Sequence, residues 1–438
     1  MVATAGLFAP TIRHHKGIFY IICTNCTSDG TDFKTANFYI TTDDLWSNQW
    51  SDPIFIDFNG IDPSIFWDDD DRAYIQGSFR LDRLKQPSCT IKQFQIDLET
   101  GKAISEQKEI WPGYAKIDSE GPHIYKKDGW YYLLIAEGGT FEYHMLSIAR
   151  AKSVWGPYES YEKNPLMTSD GKPDEYIQNI GHGELFQDLD GKWWAAVLGV
   201  RDCAGRSPMG RETFLTAVDW PEGGWPRISQ PKMSFEREHS SNDNSSLGKQ
   251  DEKVEHCYIR TPVLQDYEFT SDQRIFLRSS ESDLSIQVGT TTFLGQRQRS
   301  LSCFSSVSLD LDNTRQGQDL NVGLALYKDA FRHAEVFYDY STSKVCFSIT
   351  NKSKDPPTKI AVSTLPTGKL SFRIQADERN YTFSYQDESS KEWIRVGVLD
   401  ALEMTARDFT GTMFGLFANG KGQGQGILVP FVDFKVSS

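Results

Sequence analysis

Four segments of this chain follow one template, and that repetition narrows the possible folds more than any other feature. Each segment has a Pro or Gly, a short strand, a polar turn and then an aromatic-rich strand. The first is Ala9-Pro10-Thr11-Ile12 leading to Gly17-Ile18-Phe19-Tyr20, and the second Asp62-Pro63-Ser64-Ile65 leading to Arg72-Ala73-Tyr74-Ile75. The third is Gly121-Pro122-His123-Ile124 leading to Gly129-Trp130-Tyr131-Tyr132, and the fourth Gly183-Glu184-Leu185-Phe186 leading to Gly191-Lys192-Trp193-Trp194. Their starts lie roughly 50 to 60 residues apart, the period of β-propeller blades. The turns Asp68 to Asp71, Lys127-Asp128-Gly129 and Asp188-Leu189-Asp190-Gly191 suit tight hairpins, because Asp and Gly tolerate positive φ. Phe38-Tyr39-Ile40, Ile91 to Ile96 and Met145 to Ala149 read as further strands, Asp97 to Gly101 as a turn, and helical periodicity is nearly absent. Residues 1–235 are therefore expected to form four blades of antiparallel strands.

The second half reads differently. Residues 236–254 are polar and turn-rich, with Glu238 to Ser246 followed by a solvated charge run from Lys249 to Lys253, and are expected to be a linker. From about Cys257 alternating strands return: Leu284 to Val288, Leu301 to Leu311, Val322 to Tyr327, Ala334 to Tyr340, Val345 to Ile349 and Leu370 to Ile374. Strands at this spacing without helices predict a β-sandwich over residues 255–438. The fold class is all-β, a propeller followed by a sandwich.

Composition excludes several classes of function. The 438 residues carry 46 Lys+Arg and 60 Asp+Glu, a net charge of −14, which argues against a nucleic-acid or anionic-membrane partner. No run of about 18 apolar residues is present to span a membrane as a helix. Met1 to Pro10 has neither a basic n-region nor a long apolar h-region, so the chain as given is expected in the cytoplasm, and outside the cell only if its N-terminus is truncated. Seven Cys, an odd number without a dense framework, read as reduced thiols, and the lone CxxC at Cys23 and Cys26 reads as core or edge cysteines rather than zinc ligands. No phosphate loop, GxSxG elbow or HExxH motif occurs.

Propeller blades bring the starts of their innermost strands around a central channel, which here assembles Asp62, Glu120 and His182. Two carboxylates from adjacent blades suit acid/base work, since their repulsion raises one pKa; the plainer reading is that Asp62 starts a turn before Pro63 and Glu120 sits on a solvated loop. Arg211, between Gly210 and a strand, is either a clamp on a carboxylate or hydroxyl-rich ligand or an ion-pair partner of a neighbour such as Glu212. His182 is a ligand contact or a locally hydrogen-bonded axial residue. Phe8, Tyr143 and His144 are expected near blade mouths, where aromatic faces can stack on a ring. Trp130, Trp193 and Trp194 are expected in the blade cores.

At these residues the sequence resembles glycoside hydrolase family 43, especially its β-xylosidase and α-L-arabinofuranosidase members. The resemblance runs through Gly6 to Arg13, Gly60-Ile61-Asp62-Pro63-Ser64, Glu120-Gly121-Pro122-His123 and Ile135 to Thr140. It continues through Gly181-His182-Gly183, Pro208 to Phe214, Trp220 to Pro226 and, in the second half, Thr292 to Gln298. It implies a five-bladed propeller with an appended concanavalin-like sandwich. It also implies an inverting mechanism with a general-base Asp, a second Asp that tunes the acid, here Asp62, and a general-acid Glu, here Glu120. Arg211 matches a substrate-contacting Arg, His182 an axial His beside a calcium ion or water, and Phe8 an aromatic near the sugar. The general base lies in the family on an Asp-Pro-Ser segment upstream of the Ala-Pro-Thr-Ile segment. No position of this sequence matches it, and the first blade is expected to be missing.

Three functions follow. In the leading one the family's pocket is repurposed for non-hydrolytic, acid-assisted chemistry on a small molecule, a pericyclase-like biosynthetic step. The alternative is an exo-acting β-xylosidase or α-L-arabinofuranosidase, and the third a non-catalytic carbohydrate-binding protein. All three expect a small-molecule or saccharide ligand, no protein-held metal and no other cofactor, and leave the oligomeric state open.

Overall fold

The computed structural model describes residues 6–28, 33–47, 49–82, 84–236, 256–351, 358–362, 366, 368–388, 392–420 and 426–437. Apart from Glu236, the expected linker with its polar and charged runs lies outside the described residues. The chain divides into two compact units, residues 1–200 with 212–241, and residues 201–211 with 242–438.

The first unit holds four antiparallel sheets. One contains β1 (Gly6–His15), β2 (Ile18–Ser28), β3 (Phe33–Thr42) and β4 (Ile54–Ile56); the next β5 (Ile61–Trp67), β6 (Ala73–Arg80), β7 (Cys89–Gln95) and β8 (Lys108–Trp111). The third contains β9 (Glu120–Lys127), β10 (Trp130–Glu137), β11 (Met145–Ala151), β12 (Glu159–Ser160) and β13 (Met167–Thr168). The fourth contains β14 (Ile177–Gln187), β15 (Trp193–Arg201), β16 (Glu212–Asp219) and β17 (Arg227–Ile228). The first strand of each sheet stands at its edge, and β1, β5, β9 and β14 touch in succession.

Apolar packing runs between the faces of successive sheets. Ile22 and Tyr39 pack on Ile65, Ile75 and Phe94; Tyr74 and Ile91 pack on Ile124 and Leu133; Leu134 and Leu146 pack on Ile180, Leu185 and Val197. This explains why β10 reads as a continuous apolar run rather than an alternating one. Tyr131, Leu133 and Ile135 enter the core shared with the second sheet, while Tyr132 and Leu134 enter the core shared with the fourth. A strand buried on both faces needs apolar side chains at every position, each contributing about 1.5–3 kcal/mol on full burial. The two end faces differ: the first sheet exposes Ile12 and Phe55, and the fourth exposes Phe186 and Leu215. No apolar cluster among the described residues joins these two sheets; an ion pair between Arg13 and Glu184 links β1 to β14.

Between the second and third blades a polar cluster reinforces the packing. Lys126 Nζ lies 2.5 Å from Asp68 Oδ1 and 2.7 Å from Asp69, and the Tyr131 hydroxyl donates to Asp68 Oδ2 at 2.7 Å. Burial pushes the Asp68 carboxyl upward, but these donors outweigh it and leave its pKa below the ordinary value. A depressed carboxylate pKa stabilises the fold above the unfolded-state value of about 3.9, and the contribution is lost as pH falls through the folded-state value. Asp68→Asn is expected to cost about 1–2 kcal/mol at pH 7. Its melting-temperature deficit should shrink below about pH 4; thermal melts at pH 7 and pH 3 check this, and a deficit that persists at pH 3 would contradict it.

The four inner strands share a backbone irregularity. Ala9, Asp62, Gly121 and His182 adopt left-handed φ values of 40°, 55°, 56° and 44°. In β1, β5 and β9 the ladder register shifts there, the signature of a β-bulge. A Pro follows three of the four, Pro10, Pro63 and Pro122, and lacks the N–H that a regular ladder would need. Aligned on this kink, the fourth repeat begins at His182-Gly183-Glu184, one residue earlier than the Gly183-Glu184-Leu185 phasing predicted. The template was misphased because Gly183 stands where the others have Pro. Glu120, expected at the position equivalent to Asp62, lies one residue before it.

The second unit is a sandwich of two sheets, with strands β18 (Tyr267–Phe269), β19 (Ile275–Arg278), β20 (Phe293–Arg297), β21 (Cys303–Asp310) and β22 (Asn321–Asp329). They continue as β23 (Arg332–Asp339), β24 (Lys344–Asn351), β25 (Thr358–Val362), β26 (Lys369–Ala376) and β27 (Asn380–Asp387), then β28 (Ile394–Asp400), β29 (Met413–Asn419) and β30 (Leu428–Ser437). One sheet runs β18-β19-β30-β21-β26-β27-β28 and the other β20-β29-β22-β23-β24-β25, with Leu324, Val336, Phe372, Phe383 and Phe414 in the core between them. The strand expected at Leu284 to Val288 is absent. Asp283 turns the chain there by accepting from the Ser285 amide through its side chain (2.8 Å) and from the Ile286 amide through its carbonyl (3.3 Å), and Arg260 caps the Ile286 and Gly289 carbonyls. Aspartate hydrogen-bonding the amide two residues on is a turn former that hydropathy does not register.

Candidate active site

Asp62 is buried, and the sheet β1-β2-β3-β4 fixes its backbone. Its amide donates to Thr24 Oγ1 at 3.2 Å, and that hydroxyl donates to Asn37 Oδ1 at 2.7 Å. The Asn37 amide in turn donates to the carbonyls of Phe58 (2.7 Å) and Gly60 (3.0 Å), just upstream of Asp62. The left-handed kink points the carboxylate toward the third blade, where Oδ2 accepts from the Gly121 amide at 3.1 Å. The bonded N–H belongs to the peptide joining Glu120 to Gly121, so Asp62 holds the backbone of the second carboxylate. Cys26 also feels Asp62: burial, and then that negative charge, push its thiol up to about 11. With Cys23 raised as well, mainly by burial, neither has the thiolate character of a zinc ligand or nucleophile; both are core residues of β2.

Glu120 opens β9 and is half-buried. The segment leading to it is held from behind by Glu137, a fully buried carboxylate at the end of β10. Glu137 accepts from the amides of Tyr114 and Lys116, both at 2.9 Å. Burial raises its pKa, and these backbone donors pull the other way. Ser119, also fully buried, donates to the Pro112 carbonyl at 2.7 Å, and its own carbonyl accepts from Ser78 Oγ at 2.7 Å. The residue before Glu120 and the peptide after it are therefore both fixed, and the side chain between them is pre-positioned.

Gly121 cannot be another residue without cost. Its φ is +56°, and a Cβ there would lie 2.8 Å from His182 Nε2. His182 therefore stands against the Glu120–Gly121 turn, beside the expected carboxylates. Ser64, His123 and Glu184, each two positions beyond a kink, converge along the axis with Arg13, which lies four positions beyond Ala9. Arg13 Nη2 and Ser64 Oγ each lie 3.1 Å from His123 Nδ1. Arg13 can only donate, so Nδ1 is the acceptor of a neutral imidazole. Burial, then the charge of Arg13, hold the His123 pKa well below its ordinary value. The sequence reading quoted Arg13, Ser64, His123 and Glu184 as parts of motifs without giving them a role. Ser64, His123 and Glu184 share an offset from the kink, whereas Arg13 does not, and only the packing of the blades brings it to them.

The remaining predicted residues separate. Phe8 is half-buried in β1, its carbonyl 3.2 Å from Cys23 Sγ, and Tyr143 is exposed. His144 is not at an open mouth. It is fully buried, 2.9 Å from the Asn179 carbonyl through Nδ1, with its ring packed where Gly181 leaves no Cβ. Arg211 belongs to the segment 201–211 that is part of the second unit, and its guanidinium lies 4.5 Å over the Phe409 ring. Within that unit Arg206 forms two 2.7 Å bonds to Asp400, and the Thr412 amide donates to the Pro208 carbonyl at 3.0 Å. Among the described residues no group of three or more His, Cys, Asp and Glu is arranged to hold a metal ion. An ion beside His182 would thus take most of its ligands from water and carbonyl oxygens, as a hard cation such as calcium can.

Comparison with known proteins places these features in a family. Residues 2–226 match the family described as glycosyl hydrolases family 43, and residues 249–437 match the β-xylosidase C-terminal concanavalin A-like domain. The chain is 31% identical over 445 residues to a xylosidase/arabinosidase of Butyrivibrio fibrisolvens, covering 95% of this chain and 83% of that protein. It is 30% identical over 444 residues to a non-reducing end α-L-arabinofuranosidase of Bacteroides ovatus, covering 96% and 79%. A solved structure of xylan β-1,4-xylosidase from Bacillus halodurans superposes with a TM-score of 0.85 at 26% identity, over 100% of this chain and 88% of that one. These relatives favour the glycosidase reading over the repurposed, pericyclase-like one, which neither they nor the site geometry support.

Proposed function

Because the chain belongs to glycosyl hydrolase family 43, we propose that its first unit acts on terminal β-xylosyl or α-L-arabinofuranosyl residues at non-reducing ends, with Glu120 as general acid and Asp62 as the carboxylate that orients and tunes it. The observation that carries this reading is the 3.1 Å bond from the Gly121 amide to Asp62 Oδ2, which fixes the two carboxylates relative to one another through one peptide. A nearby negative charge favours the protonated state of a carboxyl group, and that is the state in which Glu120 can give a proton to the departing glycosidic oxygen. His182 stands against the same turn as a sugar contact, and exposed Tyr143 offers a ring face.

Inversion also needs a base on the opposite face of the sugar to deprotonate the attacking water. No position of this sequence matches the family's base, and general-base catalysis contributes roughly 10²- to 10⁴-fold. Slow hydrolysis by residues 1–438 is therefore expected, with a specific remedy: azide attacks without losing a proton and bypasses the base. With 4-nitrophenyl β-D-xyloside and 4-nitrophenyl α-L-arabinofuranoside, azide should accelerate nitrophenol release at least tenfold on one of the two. Proton NMR should then show a glycosyl azide of inverted configuration. No release from either substrate, with or without azide, would reject the proposal.

A further inference from the structure

The outward face of the seven-stranded sheet in the second unit carries a row of residues that core packing does not explain. Read across five neighbouring strands in register, from β30 to β28, the row is Lys435, Ser306, Arg373, Ser384 and Arg395. Cation and serine alternate. The residues on either side of Arg373 in its strand, Phe372 and Ile374, point the other way into the core. Strands lie about 4.8 Å apart, so successive cations of the row stand about 10 Å apart.

Arg373 is the centre of the row. Its guanidinium lies 4.0 Å over the Trp393 ring and 5.2 Å over the Phe304 ring. Its Nε is buried and has no hydrogen-bond partner among the described residues. Burial lowers its pKa, and among the described residues no neighbouring carboxylate offsets that cost. Other basic residues of this unit behave differently: Arg206 pairs with Asp400, Arg315 with Asp312 and Lys369 with Asp433. An arginine stacked between two aromatic rings, with no acidic partner among the described residues, is an available anion contact. Gln375 and Thr382, in register with Phe304, add an amide and a hydroxyl beside it.

We propose that this face binds an acidic glycan, a polysaccharide bearing uronic acid residues, with carboxylates on the cations of the row and sugar hydroxyls on Gln375 and Thr382 beside it, the two serines of the row being buried between the strands. Aromatic rings suit the apolar faces of pyranoses, and a planar guanidinium forks onto a carboxylate. The proposal concerns the second unit by itself and does not depend on hydrolysis.

Affinity electrophoresis of the full chain through gels containing 4-O-methylglucuronoxylan tests it, with carboxyl-reduced glucuronoxylan and polyuridylate as the other arms. Retardation is expected with the first polymer and is expected to be lost with the other two. Arg373→Met should weaken it about tenfold, the loss of one charge-assisted contact. The exposed pair Lys435→Gln and Arg395→Gln should weaken it several-fold without disturbing the core. Release of nitrophenol from an aryl glycoside should be the same in these variants as in the parent chain, which separates this surface from the proposed catalytic one. Absence of retardation, equal retardation by the carboxyl-reduced polymer or by polyuridylate, or affinity unchanged in both variants would each overturn the proposal.

Discussion

Glu120→Gln is expected to remove catalysis in proportion to how much the leaving group needs a proton. With a phenyl or disaccharide leaving group, kcat/KM should fall by about 10³-fold, within the range assigned to general acids. With 2,4-dinitrophenyl, whose phenolate departs without protonation, the loss should stay within about tenfold. Gln keeps the shape and one acceptor oxygen of Glu, and the Ser119 and Gly121 anchors on either side involve backbone or Ser119 hydroxyl groups that the substitution leaves intact. The steepened dependence on leaving-group pKa is the diagnostic reading. Measuring kcat/KM over a series of aryl xylosides checks it, and a uniform loss over the series would show that Glu120 acts structurally.

Glu137→Ala should be the most damaging single substitution outside the carboxylate pair. It strands the Tyr114 and Lys116 amides, both bonded at 2.9 Å, and leaves a cavity at a fully buried position. Two orphaned donors and a cavity together are worth about 3 kcal/mol. In a unit of this size that is a fall in melting temperature of roughly 6–12 °C. Glu137→Gln keeps an acceptor and should recover about half of it. The loss of turnover should exceed what the unfolded fraction explains, because the freed segment carries Glu120. Thermal melts alongside kcat at a temperature where both variants are folded distinguish the two effects; wild-type kcat in the folded Ala variant would contradict the positioning role.

Much of the fold was legible because the repeats announce themselves through turn chemistry. Lys127-Asp128-Gly129 and Asp188 to Gly191 mark hairpins whatever surrounds them, and the aromatic strands after them can only be blade interiors. What escaped was anything set by backbone conformation. Glu120 and Asp62 look equivalent in the sequence because both precede the same apolar pattern. The left-handed residue that defines equivalence is Gly121 in one blade and Asp62 in the other, and φ has no letter in the alphabet. The fourth repeat slipped by one for the same reason. The axial group of Arg13, Ser64, His123 and Glu184 was hidden because its members lie in different repeats and meet only after the blades pack. Glu137 left one clue, a lone carboxylate at the end of the apolar run from Trp130. Arg211 could be chosen as a cation from the sequence, but not assigned to the unit in which it is found, because that depends on how the segment 201–211 packs.

The four kinked positions have a consequence for how chemistry can change on this scaffold. Each blade presents one residue at the same level of its inner strand, in the same left-handed conformation, and the occupants here are Ala, Asp, Gly and His. Four unlike side chains, one inert, one anionic, one absent and one basic, share a single backbone shape. The frame holds a side chain at three of these positions and excludes one at Gly121, where a Cβ would meet the His182 ring, so the occupants of the other three are the ones open to change. A substitution at one alters the charge and proton inventory around the axis while the packing between blades, centred on Ile22, Ile75, Leu133 and Leu134, has no reason to respond. Architecture and reactivity are therefore written in separate sets of residues, and the second set can be revised one blade at a time.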